Sequence, residues 1–231
     1  MDIKTDEFDL GLVSSEPPAY GATAAGRLRG PTLPWWQTSP AYRRHNFRWN
    51  PFGEAPPAEL GKMALVNEAA LWMAPFQPVQ ILAPSGHGKT THLLALQARH
   101  PGAIYEYVPF AQRKFRARPS PDQWFLLDEA QRVNARQLRD LFVRQPWLAL
   151  GTHEDLQPHC PYPLRTLHIE ALSLATLRGI VSRRMEWAKA DPHLPRPALD
   201  DARLTRLLQS HGGNLRAIVQ ALYDSIQRGE M

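Results

Sequence analysis

The chain has 231 residues, 43% hydrophobic and 21% charged, with 22 prolines, a single cysteine and a net charge of +5. That is enough chain for one α/β domain with a small appendage and a sizeable core. Cys160, standing alone, excludes an internal disulfide and a thiolate zinc cage, and no run of about eighteen apolar residues offers a membrane span. The N-terminus "MDIKTDEFDL" is acidic and lacks the apolar segment of a secretory signal, so the expected compartment is the cytoplasm. The histidines show no ligand spacing. The charge is uneven: the N-terminal stretch is acidic, whereas 112–118, "QRKFRAR", and the C-terminal half are rich in arginine. Such a balance permits nucleic-acid binding without requiring it.

Taken in chain order, residues 1–44 lack a sustained apolar period and read as an extended arm, either a loose tail or a segment that docks on a neighbouring subunit. "NPFGEA", 50–55, reads as an ordered turn before a helix predicted over 57–74. From residue 78 the periods alternate. A strand, "VQILAPS", leads through a glycine-containing turn to the helix "TTHLLALQARH". "AIYEYVPF" is the second strand, followed by a basic connector. "QWFLLDEA" is the third, then the helix "NARQLRDLFVRQ", the strand "WLALGT" and a last strand, "TLHIEAL". Buried-looking strands alternating with helices predict an α/β fold, a parallel sheet covered on both faces. Beyond residue 171 the pattern is helical only. Three helices are predicted, the last presenting Leu215, Ile218, Val219, Leu222 and Ile226 on one face.

The turn after the first strand, "APSGHGKT" over 83–90, matches the phosphate-loop pattern G-x-x-x-x-G-K-[ST] except that Ala83 replaces the opening glycine. Each remaining position has a physical task. Gly86 and Gly88 let the backbone turn its N–H groups inward around phosphate oxygens. Ser85, His87 and Thr91 complete the loop. Lys89 brings an ammonium to the terminal phosphates, and the Thr90 hydroxyl is a ligand for Mg²⁺. The helix that follows points its positive end at the same anion. Ala83 gives up little where its dihedrals are open to alanine.

One strand further on, "WFLLDEAQ" ends in Asp128 and Glu129. Beside a phosphate loop this reads as a metal-holding aspartate and a glutamate that orients and deprotonates the attacking water. Thr152 ends the next strand, where it either meets the γ-phosphate and the water or merely caps the strand. Arg216, in the first turn of the last helix, either reaches back to the phosphates or is a surface arginine.

In this order, over residues 45–229, the sequence resembles the AAA+ P-loop ATPases: Walker A, Walker B, sensor 1 between the Walker strands, sensor 2 and a small C-terminal three-helix lid. "LLDEAQ" and "NPF" are most similar to the initiator-type branch, which includes transposition-regulator and secretion-associated ATPases. The resemblance implies a core over 45–171 and a lid over 172–231, with ATP and Mg²⁺ as ligands. It further implies Asn50, Pro51 and Phe52 beside the adenine, although a hydrophobic turn explains them almost as well. Assembly into a ring or spiral homo-oligomer is implied too, in which Arg165, or Arg144 as a second candidate, completes a neighbour's site. The segment between the second and third strands is too short for elaborate unfoldase machinery.

That connector carries Arg113, Lys114, Arg116 and Arg118 with Phe115 among them. Charge for phosphates and a ring for bases suit nucleic acid, with double-stranded DNA the expected partner. A solvated loop is the bland alternative. The function expected is an ATP hydrolase whose nucleotide-dependent assembly controls engagement of DNA. The runner-up acts on a protein partner instead, and a small-molecule kinase is disfavoured by the Asp-Glu pair and the helical tail.

Overall fold

Leu148, Ala149 and Leu150 have no accessible surface, and neither do Phe125, Leu126 and Leu127. Strands this uniformly apolar need cover on both faces, and the fold provides it. A computed structural model describes residues 40–66, 71, 74–195, 197 and 199–230; the arm expected over 1–44 lies almost wholly outside them. All described residues belong to one compact unit.

The elements run α1 (Pro40–Arg43), α2 (Pro57–Met63), β1 (Val79–Leu82), α3 (Lys89–Arg99), β2 (Ile104–Tyr107), β3 (Phe125–Asp128), α4 (Ala135–Arg144), β4 (Leu148–Thr152), β5 (Arg165–His168), α5 (Leu174–Ala188), α6 (Asp201–His211) and α7 (Leu215–Arg228). The five strands form one sheet in the order β2-β3-β4-β1-β5. Every pairing is parallel. The predicted parallel sheet is therefore present. Side-chain alternation sorts its two faces. Phe125, Leu127, Leu148 and Leu150 pack with Leu138, Leu141 and Phe142 of α4. Leu126, Ala149, Val79 and Ile81 pack with Leu93 and Leu96 of α3 on the other side.

Because the strands are parallel, all their C-terminal ends meet along one rim, where α/β sheets hold their ligands. β4 lies between β1 and β3. Leu82 is thus level with Thr152, and Asp128 with Gly151. The chain ends of β1, β3, β4 and β5 come together there.

The three C-terminal helices build a third apolar cluster, with Leu177, Val181 and Met185 of α5 against Leu204 of α6 and Ile218, Leu222 and Ile226 of α7. Side-chain caps start each helix: Ser173, Asp200 and Asn214 each accept a backbone N–H from the first turn. Phe47 and Phe52 are buried in the same cluster. Residues 42–53 thus pack with the C-terminal helices, although they lie far away in sequence. The Arg48 N–H donates to the Ala188 carbonyl at 2.8 Å, and the Asn46 side chain holds residue 191.

Of the helix predicted over 57–74, residues 67–70, 72 and 73 lie outside those described, and the helix that starts at Pro57 ends at Met63. Ala64 is already extended, at φ −58° and ψ 134°. The physical reason lies in α5: Arg183 donates to the carbonyls of Met63 and Ala64, at 3.3 and 2.8 Å, taking acceptors that another helical turn would use. The apolar period continues in sequence, but the carbonyls are spent elsewhere.

Gly61 sits where α2 crosses α3. A Cβ there would overlap the backbone carbonyl of Leu94, which no rotamer change relieves. Gly61→Ala should cost about 1–3 kcal/mol despite its better helix propensity. Urea unfolding should show a lowered midpoint with an unchanged slope.

Candidate nucleotide site

The loop between β1 and α3 has the backbone its glycines permit. Gly86 and Gly88 lie at φ +83° and +94°, conformations that side-chain-bearing residues rarely adopt. Ala83 is not among the residues of positive φ, so an alanine fits the motif's first position without strain. It is buried, and its N–H donates to the Thr152 carbonyl at 3.3 Å.

Lys89 opens α3 and is only 4% exposed. Its ammonium donates to the carbonyls of Ala83 at 2.9 Å and Pro84 at 3.1 Å. Burial lowers its pKa, opposed by the nearby carboxylates of Glu129 and Asp128. A buried cation held by two neutral carbonyls is poised for a stronger anionic partner.

Asp128 is fully buried at the end of β3. Three donors serve it: the Thr90 hydroxyl at 2.6 Å, the Tyr105 phenol at 3.0 Å and the Glu129 N–H at 3.0 Å. Burial still outweighs them and holds its carboxyl above the usual carboxylate range. The Tyr105 phenol is pushed up in turn, first by burial and then by the Asp128 charge. Thr90 is exposed, so the Thr90–Asp128 pair links the interior to the rim.

Glu129 adopts φ +57°, the left-handed region that few residues other than glycine enter. Its Oε2 accepts from Gln131 Nε2 at 2.8 Å and Arg132 Nη2 at 2.9 Å, with His153 Nδ1 at 3.8 Å. Arg132 also donates to the Tyr107 hydroxyl at 3.0 Å and the Val108 carbonyl at 2.8 Å. The guanidinium lies 5.5 Å from the Tyr107 ring centre. The glutamate is therefore held, by an arginine tied to the end of β2.

Above this rim is a cavity of about 480 Å³. Residues 85–92 and Glu129 form its polar floor. Leu60, Met63, Leu65, Ile180 and Val219 supply apolar wall, with Arg184 and Arg216 among them. The volume and the two-sided lining are those of a small-ligand site. Arg184 donates to the carbonyls of Pro51 and Gly53, and burial alone lowers its pKa.

The structure gathers Ser85, Gly86, His87, Gly88, Lys89, Thr90, Thr91, Glu129 and Arg216 around one cavity, with Asp128 directly beneath Thr90. α7 starts on the loop itself. The Arg216 N–H donates to the Gly86 carbonyl at 3.2 Å, and a Cβ on Gly86 would overlap the Asn214 amide. Thr152 stands at the tip of β4 as expected, but its hydroxyl turns to its own chain, donating to the Glu154 carbonyl at 2.7 Å.

Asn50, Pro51 and Phe52, expected beside the base, stand apart from the loop. They do not line the cavity. Asn50 is buried, donating to the Tyr223 carbonyl and accepting the Phe52 N–H, and Phe52 is core. The apolar wall comes instead from Leu60, Met63 and Leu65, which the periodicity assigns to a longer helix. Arg165 opens β5, while the cavity lies at that strand's other end. Arg144 is exposed at the end of α4. On the connector Arg113, Lys114, Arg116 and Arg118 are exposed, whereas Phe115 turns inward against Phe125, 5.3 Å between ring centres.

Tyr105, Arg132 and Asn214 are the parts that sequence reasoning misses. Only Asn214 leaves a signal, as a helix cap after two glycines.

Among the described residues no three His, Cys, Asp or Glu side chains converge as a metal cage. One hydroxyl and one carboxylate fit Mg²⁺, which takes few protein ligands and leaves room for phosphate oxygens. The sequence matches no protein-family model and no curated protein.

The raised Asp128 pKa carries a sign. Protonation favours the folded chain, so the cost of the buried carboxylate is absent below the unfolded value near 3.9. It grows as pH rises through the folded-state pKa and stays constant above it. Without added nucleotide, the parent's thermal midpoint should therefore carry a component that is greatest near about pH 4 and is lost as pH rises through the folded-state pKa. Asp128→Asn should lack that component whatever its absolute stability, as followed by thermal scans of both proteins across pH.

Proposed function

We propose that this chain is an ATP hydrolase of the AAA+ type, whose nucleotide-dependent assembly controls engagement of DNA. One observation carries the reading. The Thr90 hydroxyl donates to the Asp128 carboxylate at 2.6 Å, with Lys89 adjacent, so two motifs 38 residues apart meet at one point. β4 between β1 and β3 supports it, since the resemblance puts the sensor strand there.

In this reading the phosphates of ATP lie against the N–H groups of 85–90 and the start of α3. Lys89 exchanges its carbonyl partners for phosphate oxygens. The base takes the apolar side, among Leu60, Met63, Ile180 and Val219. Thr90 and Asp128 would hold Mg²⁺, which would neutralise charge on the phosphates. Glu129 takes a proton from the water that attacks the terminal phosphorus. The bond to the bridging oxygen breaks, and ADP and phosphate leave. Oε2 of Glu129 is already engaged by Arg132 and Gln131, so the resting rate is slow and a partner that draws Arg132 aside raises it.

Arg216 supplies a further cation from the lid, residues 172–231, and Thr152 orients the water once its hydroxyl turns. Arg165 is roughly 10 Å along β5 from the rim, which suits a role in a neighbouring subunit of a ring or spiral. The basic connector provides the contact with DNA. A protein partner in place of DNA is the second reading, favoured by Val143, an apolar side chain 61% exposed on α4.

Glu129→Gln should keep ATP affinity and lose turnover by about 10²–10⁴-fold. Lys89→Ala should lose affinity itself. Calorimetric titration and phosphate release separate the two, and equal turnover in Glu129→Gln and the parent would remove the glutamate from the chemistry. Arg165→Ala should bind ATP but hydrolyse poorly, and regain activity when mixed with Glu129→Gln subunits. Absence of rescue in subunits shown to co-assemble would argue against a role in trans.

A further inference from the structure

The segment after β2 is pinned at residues 113, 115, 116 and 117. The Glu106 carboxylate accepts the N–H groups of Arg116 at 2.6 Å and Ala117 at 2.7 Å. Asn134 donates to the Arg113 carbonyl from its backbone and its side chain, both at 3.0 Å. Gln137 donates to the Phe115 carbonyl at 3.2 Å. Phe115 and Ala117 pack inward against the α4-side core. Exposure alternates accordingly: 114, 116 and 118 are out, 115 and 117 are in. Lys114, Arg116 and Arg118 therefore point away from the core that takes Phe115 and Ala117, with Arg113 exposed at the head. Among the described residues no ion pair engages any of the four. Phe110 stands beside that head, 79% exposed. Arg132 lies 5.8 Å from its ring centre, and Asn134, two residues on from Arg132, holds Arg113.

The Glu106 carboxylate is spent on backbone N–H groups. A cluster of exposed cations whose side chains have no ion pair among the described residues fits a polyanion. Its backbone is ordered beforehand, so little freedom is lost on binding. The exposed ring decides which polyanion. A duplex keeps its bases stacked inside and offers Phe110 only phosphate and sugar. An unpaired base offers a flat face, and stacking on an aromatic side chain is how single strands are held without sequence preference.

We propose that residues 110–118 are a binding ridge for single-stranded nucleic acid, with successive phosphates on Lys114, Arg116 and Arg118 and a base on Phe110. This rests on the nucleic-acid part of the proposed function and is independent of the chemistry in the cavity.

The test is fluorescence anisotropy of a labelled oligothymidylate and of a duplex of equal length, titrated with the full chain in Mg·ATP. The single strand should bind more tightly. With a fourth phosphate on the exposed Arg113, its log–log salt slope should be about −3, a loss of roughly 50-fold between about 50 and 200 mM salt. Substituting Lys114→Ala, Arg116→Ala and Arg118→Ala together should bring the slope to about −1. Phe110→Ala should weaken single-strand binding by at least about fivefold at unchanged slope, leave duplex binding alone, and be rescued by Phe110→Trp. These are surface side chains, and circular dichroism checks the fold of each variant. Duplex binding as tight as single-strand binding overturns the proposal, as does an unaffected Phe110→Ala. Binding of neither probe by protein that still binds ATP also overturns it and leaves the ATPase reading standing. Strand binding by protein without ATP affinity does the reverse.

Discussion

A carboxylate with no accessible surface is the constraint around which the rim is organised. Asp128 sits at the end of β3, and left unpartnered it would cost several kcal/mol. The chain answers with three donors drawn from three places: Thr90 in the first turn of α3, Tyr105 on β2 and the N–H of Glu129. Each fixes a neighbour. Thr90 fixes the start of α3 against β3, and Tyr105 fixes the edge strand. The bond from Glu129 accompanies a left-handed residue, which sends that side chain toward Arg132. Gly151 belongs to the same set. It is level with Asp128 across the sheet, and a Cβ there would stand 2.6 Å from the carboxylate oxygen. The strand register, the glycine and the acid are one arrangement.

The C-terminal helices are tied to that rim by close approach. α7 begins on Gly86, with its first-turn N–H on the loop carbonyl and its capping Asn214 filling the space a side chain would take. α5 is tied to the segments before the sheet, through Arg183 to the end of α2 and Arg184 to residues 51 and 53. Any ligand that moves the loop therefore pushes on the C-terminal helices, and any partner that moves those helices pushes on the loop.

The parts legible in the sequence are those where one residue type has one solution. The strands can be read because burial on both faces removes every polar residue from β3, save its terminal Asp128. The loop can be read because positive φ at 86 and 88 leaves little but glycine. Periodicity overextends the helix over 57–74 because it reports which face is apolar and says nothing of Arg183, 120 residues away, which takes the carbonyls. Asn50 and Phe52 are ambiguous for a similar reason: a polar residue beside an aromatic describes a capped core turn, which the structure has, as well as a base pocket. Arg132 leaves no signal, since an arginine three residues after a glutamate is ordinary. On the connector the basic residues are plain, but their alternation emerges only from the backbone bonds that pin it. There the half-buried Phe115 is the ring the sequence offers, and the exposed Phe110 is the one that fits the part.

The proposed activity requires Lys89, Thr90 and Asp128 to bind a nucleoside triphosphate with its metal. The direct measurement is the thermal midpoint of the full chain with ATP, with and without Mg²⁺. At about a hundredfold excess over Kd, linkage gives about 2.7 kcal/mol, which for a chain of this size is a rise of roughly 5–10 °C. That rise should need Mg²⁺ and disappear in Lys89→Ala. A midpoint that stays fixed at millimolar Mg·ATP, in protein that melts cooperatively, contradicts it.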